Sequence, residues 1–451
     1  MTTSTMGRRL RARGAPLVVV VGLSVSLVAC GSNSKSGGEH GTATTGTSNA
    51  SAATDTASAA KCGLGNGKKA TGTPIKIGAL VTKQPGLDGF TDATDMAGAY
   101  FKCVNDNGGI NGRPIEYITY KDQTDPQIAK SLGTKLVQQE KVDAIVGGMS
   151  VLDCPVNGKL YQQAGYNVIA VGITNDCFQT PNVAPVNIGA SGSSVAAAQY
   201  LAGQGVKKIA IYTSNAPGAD LINQGVVAFG ESKGIDVSSG LEDIPINDAN
   251  GLALKMVQAA GDGGGVIVNF NPPDTLKVLQ AVQQQGLQDR VKWACPSGCN
   301  DSSLIKSLGS AWDGKIAINA EFSLPSATGS DSTLFRKLDQ QYTPSTPLSG
   351  YGQMGFLSAR VAVQAMLGIK GAVDPKTINA AIAKVKDYKS DMLCKPWYFG
   401  AGQPYHLANN ATRMVVIKSG ALVPAGGCFD IAATPTNHLD EIRHYEQTRA
   451  S

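Results

Sequence analysis

Ile75-Lys76-Ile77-Gly78-Ala79-Leu80-Val81, with the punctuated stretch Asn107-Gly108-Gly109-Ile110-Asn111-Gly112 behind it, decides the fold of this chain. The first run is short, apolar and bounded by polar residues, which predicts a strand covered on both faces. After a loop from Gln84 to Gly89, Met96, Tyr100, Phe101 and Val104 recur at three- and four-residue spacing, the mark of one buried helix face. The helix should stop at Asn107-Gly108-Gly109, where a glycine takes the left-handed conformation and Ile110 folds back on the last turn. Asn111-Gly112 then turns the chain into a second strand, Pro114 to Tyr120. Strand, helix and parallel strand make one right-handed unit, the seed of an α/β layer.

Working outward, the unit repeats. Asp125 is placed to cap a helix that opens on Pro126 and carries Ile128, Leu132, Leu136 and Val137. Strands are predicted at Asp143 to Gly148 and Asn167 to Gly172, with a short helix at Val156, Leu160 and Ala164 between them. A second series begins after Ser191-Gly192-Ser193-Ser194. Its strands are read at Lys208 to Thr213, Gly240 to Ile246, Val266 to Phe270, Val291 to Cys295 and Lys315 to Phe322. The helices between them carry Leu221, Ile222 and Phe229, then Leu252, Met256 and Val257, then Leu276, Leu279 and Val282, and they end at Gly234, Gly261 and Gly286. Such alternation predicts parallel sheets covered on both faces, in two lobes of similar build.

The nine residues Asn105 to Arg113 resemble the helix-to-strand junction of the leucine/isoleucine/valine-type substrate-binding proteins of ABC importers. Ile75 to Leu80 resembles the first strand of that family, and Lys121-Asp122-Gln123-Thr124-Asp125-Pro126 the loop that ends its second strand. The similarity runs from about Thr73 to about Gly427. It implies an α/β fold of two doubly wound lobes with parallel sheets, the type I periplasmic binding protein architecture, and a ligand cleft between the lobes. It also implies three crossings between lobes. Residues 73–191 and 322–410 would form the first lobe, 192–321 and 411–430 the second, with helices around Phe356 to Leu367 and Ile378 to Val385 returning to the first. The strand Arg413 to Ile417 would cross back to the second. Residues 431–451 read as a polar, frayed tail.

The leader is read separately. Arg8, Arg9, Arg11 and Arg13 precede an apolar run of 12 residues, Leu17 to Val28, too short for a permanent transmembrane helix. Leu27-Val28-Ala29-Cys30 resembles the lipobox of bacterial lipoproteins, so residues 1–29 are expected to be cleaved and Cys30 lipidated. Removing four arginines takes the formal charge from +5 to about +1, and no nucleic-acid-binding surface is implied. Gly31 to Ala60 holds no large apolar side chain, and a tether is expected over 30–72. The expected product is a monomer anchored on the extracytoplasmic face of the cell membrane, whose partners are a small solute and the permease of an ABC importer. The rival reading is a sensory lipoprotein that reports its ligand without transport.

Eight further cysteines in an exported chain read as disulfides. Cys295-Pro296-Ser297-Gly298-Cys299 is the most decided pair, because Pro and Gly can fold the three residues between the sulfurs. Cys154 and Cys177 each follow a strand predicted to end at the same sheet edge. Cys62 with Cys103, and Cys394 with Cys428, are what remains of many possible pairings. The spacing of Cys295 and Cys299 is not that of a redox motif, and scattered cysteines with His406 as the lone histidine of the body do not make a metal site. No nucleophile elbow, phosphate loop or zinc-protease pair occurs in the sequence, so neither catalysis nor a cofactor is expected.

A binding site is therefore sought beyond the carboxyl ends of the strands. The resemblance places Ser150 and Val151 where the family offers a hydroxyl and a backbone amide to a ligand carboxylate, and Gly172 and Thr174 in its second carboxylate loop. Turn chemistry alone would also account for Ser150 and Thr174. In the second lobe, Asn215 is a candidate, beside Ala216-Pro217-Gly218 where the family has a tyrosine. Asn271 stands in place of another tyrosine, and Ser297 in place of the glutamate that holds an ammonium. Phe90 and Tyr351 are candidate apolar walls. With no acid at 297, leucine, isoleucine and valine are expected to bind poorly, and an amide or a carboxylate lacking an α-ammonium to bind better, unless Asp153, Asp220 or Asp274 supplies the charge.

Overall fold

In the computed structural model, residues 61–83 and 88–450 are described. The leader, Cys30, residues 31–60 and most of the loop expected from Gln84 to Gly89 lie outside them. The opening unit forms as its sequence dictates. β1 (Ile75–Val81) pairs in parallel with β2 (Ile115–Lys121) across α1 (Thr91–Asp106). Met96, Tyr100, Phe101 and Val104 are buried on the inner face of α1. Asn111 and Gly112 both take positive φ, 51° and 82°, in the turn that leads into β2.

The rest of the first lobe follows as α2 (Pro126–Thr134), β3 (Ala144–Ile145), α3 (Asp153–Gln163), β4 (Val168–Ala170), α4 (Asn175–Gln179) and β5 (Val183–Pro185). Asp125 caps α2, its carboxylate accepting from the Gln127 and Ile128 amides at 2.7 and 3.0 Å. β3 is two residues long where six were expected, because much of that segment joins the sheet through single bridges, Val81 to Met149 and Val146 to Ile169. The latter links β2-β1-β3 to β4-β5, all parallel. α3 turns a different face inward from the one its apolar residues suggested. Val156 and Leu160 are half-buried and Ala164 is exposed, while Asp153, Asn157 and Tyr161 are buried. The polar face can go inside because Asn157 Nδ2 and Tyr161 Oη both donate to Asp153 Oδ1 at 2.8 Å.

The second lobe runs α5 (Gly189–Gly203), β6 (Lys208–Ser214), α6 (Ala219–Lys233), β7 (Asp236–Glu242), α7 (Ala249–Ala260), β8 (Gly265–Asn269), α8 (Pro272–Gln284), β9 (Lys292–Cys295), α9 (Ser302–Leu308) and β10 (Ile316–Ala320). The expected series break at Ser191 to Ser194 is the first turn and a half of α5. Its Val195, Ala196 and Leu201 pack with the second sheet, so the chain changes lobes a few residues earlier, between Val186 and Ile188. β7 likewise begins at Asp236, not at Gly240, because Gly234 ends α6 and Ile235 returns directly to the sheet. The strand order is β7-β6-β8-β9-β10, all parallel.

After β10 the chain returns to the first lobe as α10 (Ser330–Tyr342), α11 (Gly350–Leu367) and α12 (Pro375–Ala383). α11 lies so close to α1 that a Cβ at Gly355 would sit 1.8 Å from the Ala93 carbonyl oxygen. Beneath it, Arg360 pairs with Asp331 at 2.8 Å, both almost wholly buried. A third crossing delivers β11 (Ala411–Lys418), antiparallel to β10, and then β12 (Ala421–Pro424) and β13 (Phe429–Asp430), both antiparallel to β11. The first lobe holds one apolar core on both faces of its sheet, and the second holds one on each face.

Both ends of the described chain are tied down. Cys62 and Ala70 are buried against the first lobe, so the expected tether does not extend to residue 72. The C-terminal segment is packed, not frayed. Ile431, Leu439 and Ile442 enter the second core, and α13 (Leu439–Ala450) sets Arg449 3.6 Å above the Tyr398 ring. Ile431 from the preceding loop, with Leu439 and Ile442 three residues apart on the helix, docks an otherwise polar segment. Disulfides join Cys62 to Cys103, Cys154 to Cys177, Cys295 to Cys299 and Cys394 to Cys428. No described helix is long and apolar enough to cross a membrane.

Candidate functional site

The carboxyl ends of both parallel sheets face one cavity of about 410 Å³. Loops after β3 and β4 supply its first-lobe wall, and loops after β6, β8 and β9 its second-lobe wall. Eight of the expected residues line it: Phe90, Val151, Gly172, Thr174, Asn215, Asn271, Ser297 and Tyr351. Phe90 and Tyr351 meet edge to face, centroids 5.5 Å apart, and close one side. Beyond that pair lies a second hollow of about 360 Å³, lined in part by Asp92 and Asp301.

Ser150 is the exception. It is turned away from the cavity, donating to Asp122 and accepting from the Leu152 and Asp153 amides at 3.0 and 2.9 Å. The hydroxyl is consumed in starting α3, the turn chemistry that serine supplies wherever a helix must begin. The Val151 amide is engaged too, donating to Thr82 Oγ1 at 3.1 Å. Gly172 is clamped by Asn187, whose Oδ1 accepts from the glycine amide while its Nδ2 donates to the glycine carbonyl, both at 2.8 Å. Asn271 spends its side chain on capping α8, accepting from the Asp274 amide and donating to the Asp274 carboxylate at 2.9 Å each. Asn215 donates to Asp243 at 2.7 Å. Thr174 keeps a buried hydroxyl with no protein partner, as Asn175 does its Nδ2.

The acid of the cleft is one that sequence reasoning passed over. Glu321, one residue past β10, lines the cavity at 2% exposure. Its Oε2 accepts from the Ile188 amide at 2.6 Å, tying the end of β10 to the first crossing. The Ser297 hydroxyl lies near enough to favour the charged form but meets no hydrogen-bond geometry, so Oε1 keeps no partner. Burial pushes the carboxyl up to about 7 against those two influences. The expectation that the cleft lacks an acid unless an aspartate replaces it is thus corrected. Asp153 is held by Asn157 and Tyr161, Asp274 by Asn271 and Lys277, and neither these nor Asp220 lines the cavity. The expected strand Lys315 to Phe322 takes Glu321 as an interior residue, whereas β10 ends one residue before it. An acid just past the carboxyl end of a buried parallel strand was the signal that could have found it.

The remaining ionisable groups nearby are also acidic. Burial raises Asp92 to about 7, with Asp301 adding to the shift and the Ser349 hydrogen bond opposing it. Burial, then Asp301, Glu321 and Asp92, keep the Tyr351 hydroxyl neutral. Among the described residues that line the cavity there is no lysine, arginine or histidine.

A profile of the periplasmic binding protein family matches residues 74–421. The chain belongs to that family. A curated amino acid binding protein of Pseudomonas aeruginosa is 33% identical over 72 residues, 16% of this chain and 19% of the relative, so the match spans about a fifth of that relative's length. Among solved structures, a branched-chain amino acid ABC transporter protein of Thermus thermophilus with bound valine superposes with a TM-score of 0.70 at 14% identity, covering 82% of this chain and all of that one. A fatty acid ABC transporter substrate-binding protein of Thermomonospora curvata gives 0.68 at 16% identity, covering 82% and 95%. At such identities the periplasmic binding protein shares their fold, and the ligands named in those structures remain their own.

Proposed function

We propose that this periplasmic binding protein is the extracytoplasmic solute receptor of an ABC importer, held to the membrane by a lipid on Cys30 and working as a monomer. It captures a small amino-acid-like or amide-like solute by closing two lobes, then presents it to the permease. The observation that carries this reading is the cavity at the facing carboxyl ends of two parallel sheets. At about 410 Å³ it has the size of a metabolite site, with apolar walls and a few unsatisfied polar groups. Three crossings connect the lobes, so closure needs only small backbone changes at each.

Family membership supports solute binding without chemistry. The test is a thermal-shift screen of the purified protein across amino acids, amides, amines and carboxylates. A solute that binds only the native state raises the melting temperature, and above its Kd the rise grows with the logarithm of its concentration. Such a rise supports the receptor reading. Conversion of the solute to a product would overturn it.

A further inference from the structure

Resting on that receptor reading, we infer that the cleft takes an organic cation, an amine with an uncharged and mainly apolar body, whose ammonium pairs with Glu321. Three observations converge on this chemistry. The first is Glu321 itself. It is buried on the cavity wall, with one oxygen committed to the Ile188 amide and the other without a protein partner. An unsatisfied carboxylate oxygen inside a binding cavity is complementary to a charged donor. Its hydrogen bond to Ile188 gives Glu321 a place in the fold, but that bond needs only one acceptor. A glutamine would make it equally well.

The second observation is the charge of the surroundings. The groups that face Glu321 are Ser297 from the loop after β9, the Ile188 amide from the first crossing, and the Tyr351 hydroxyl from α11. Asp92 and Asp301 stand beyond Tyr351 in the outer hollow. No basic side chain lines the cavity among the described residues, so every ionised neighbour favours a positive ligand and opposes a negative one.

The third observation concerns the donors a carboxylate would use. A carboxylate ligand would need free donors on the first lobe. The Val151 amide donates to Thr82 and the Gly172 amide to Asn187, and the Ser150 hydroxyl donates to Asp122. Among the first-lobe side chains, the Thr174 hydroxyl and the Asn175 amide nitrogen stay without a partner, enough for one polar group. The body of the ligand would lie against Phe90, Met149, Ile222, Phe270, Tyr351 and Met354. Aromatic faces at Phe90 and Tyr351 are a further attraction for a cation.

Calorimetry at pH 8 tests this with matched probes: isoamylamine and phenethylamine, the alcohols 3-methylbutanol and 2-phenylethanol, the acids isovalerate and phenylacetate, and leucine. At least one amine should bind, with its alcohol and acid counterparts weaker by about tenfold or more. Leucine should also be weaker, because its carboxylate would bring a negative charge into a cavity lined by an acid and, among the described residues, by no basic side chain. Glu321→Gln should weaken amine binding by about tenfold or more while circular dichroism shows it folded. The selectivity of the wild-type protein needs no variant, so a misfolded Glu321→Gln would not rescue the inference. An acid or alcohol that binds as tightly as its amine overturns it and leaves the receptor reading standing. Unchanged amine affinity in folded Glu321→Gln does the same. Silence across all series overturns the inference and counts against the receptor reading as well.

Discussion

Glu321→Gln should change how the stability of the ligand-free protein depends on pH. The Glu321 carboxyl is raised from 4.5 to about 7, chiefly by burial, so the folded state holds a proton that the unfolded chain has released. Stability contributed by such a group is complete below about 4.5 and is lost as pH rises to about 7. Each unit of difference is worth about 1.4 kcal/mol, so the loss attributable to Glu321 is at most about 3 kcal/mol. Glutamine resembles the protonated acid and keeps an acceptor for Ile188, so it removes only the cost of ionisation. The variant should therefore be more stable than wild type by about 1 kcal/mol or less at pH 5 and by up to about 3 kcal/mol at pH 8. Asp92 and Asp153, raised by burial to about 7 and about 6, weaken both proteins alike and drop out of the difference. Urea denaturation at pH 5 to 8 with disulfides intact reads it directly. Identical pH profiles for the two proteins would refute the reasoning, since the Glu321 carboxyl would then ionise in the fold as it does in water.

Gly355→Ala should destabilise by about 1–3 kcal/mol or more, measured by urea denaturation, because its Cβ would meet the Ala93 carbonyl oxygen where α11 crosses α1. Ser150→Ala should cost stability, about 1–3 kcal/mol, and change ligand affinity little, because the hydroxyl serves Asp122 and the start of α3; calorimetry and denaturation of one preparation separate the two. Opening the Cys295–Cys299 disulfide by serine substitution should weaken ligand binding more than it lowers the melting temperature, since it closes the loop that carries Ser297; non-reducing peptide mapping of the native protein should find the two cysteines joined. Cys30→Ala should abolish incorporation of labelled palmitate and leave the protein uncleaved or released.

The fold was legible wherever an apolar run met a strong stop signal. β1, α1 and β2 follow from alternating cores and from Asn107 to Gly112, and the glycines at 234, 261 and 286 end their helices with positive φ. Legibility failed where polar residues go inside. The inward face of α3 carries Asp153, Asn157 and Tyr161, a network that satisfies itself only in three dimensions, so apolar periodicity pointed to the wrong side. The docking of α13 was missed for the converse reason, three apolar anchors in a polar segment. In the cleft, loop positions after predicted strands were found, because the topological rule needs only strand ends. Which polar atoms stay free was not visible. Ser150, Val151, Gly172 and Asn271 spend their hydrogen bonds on Asp122, Thr82, Asn187 and Asp274, partners up to 69 residues away in sequence.

The central claim is that a solute is held between the two lobes. Gly298 tests it, because a Cβ there already comes within 3.2 Å of the Tyr351 hydroxyl across the cleft, and a larger group would fill it. The measurement is calorimetric titration of whichever screened solute raises the melting temperature of the wild-type protein, into wild type and into Gly298→Phe. The account expects saturable one-to-one binding to wild type, and none to a folded Gly298→Phe. Equal affinity in both proteins would place the ligand elsewhere and contradict it.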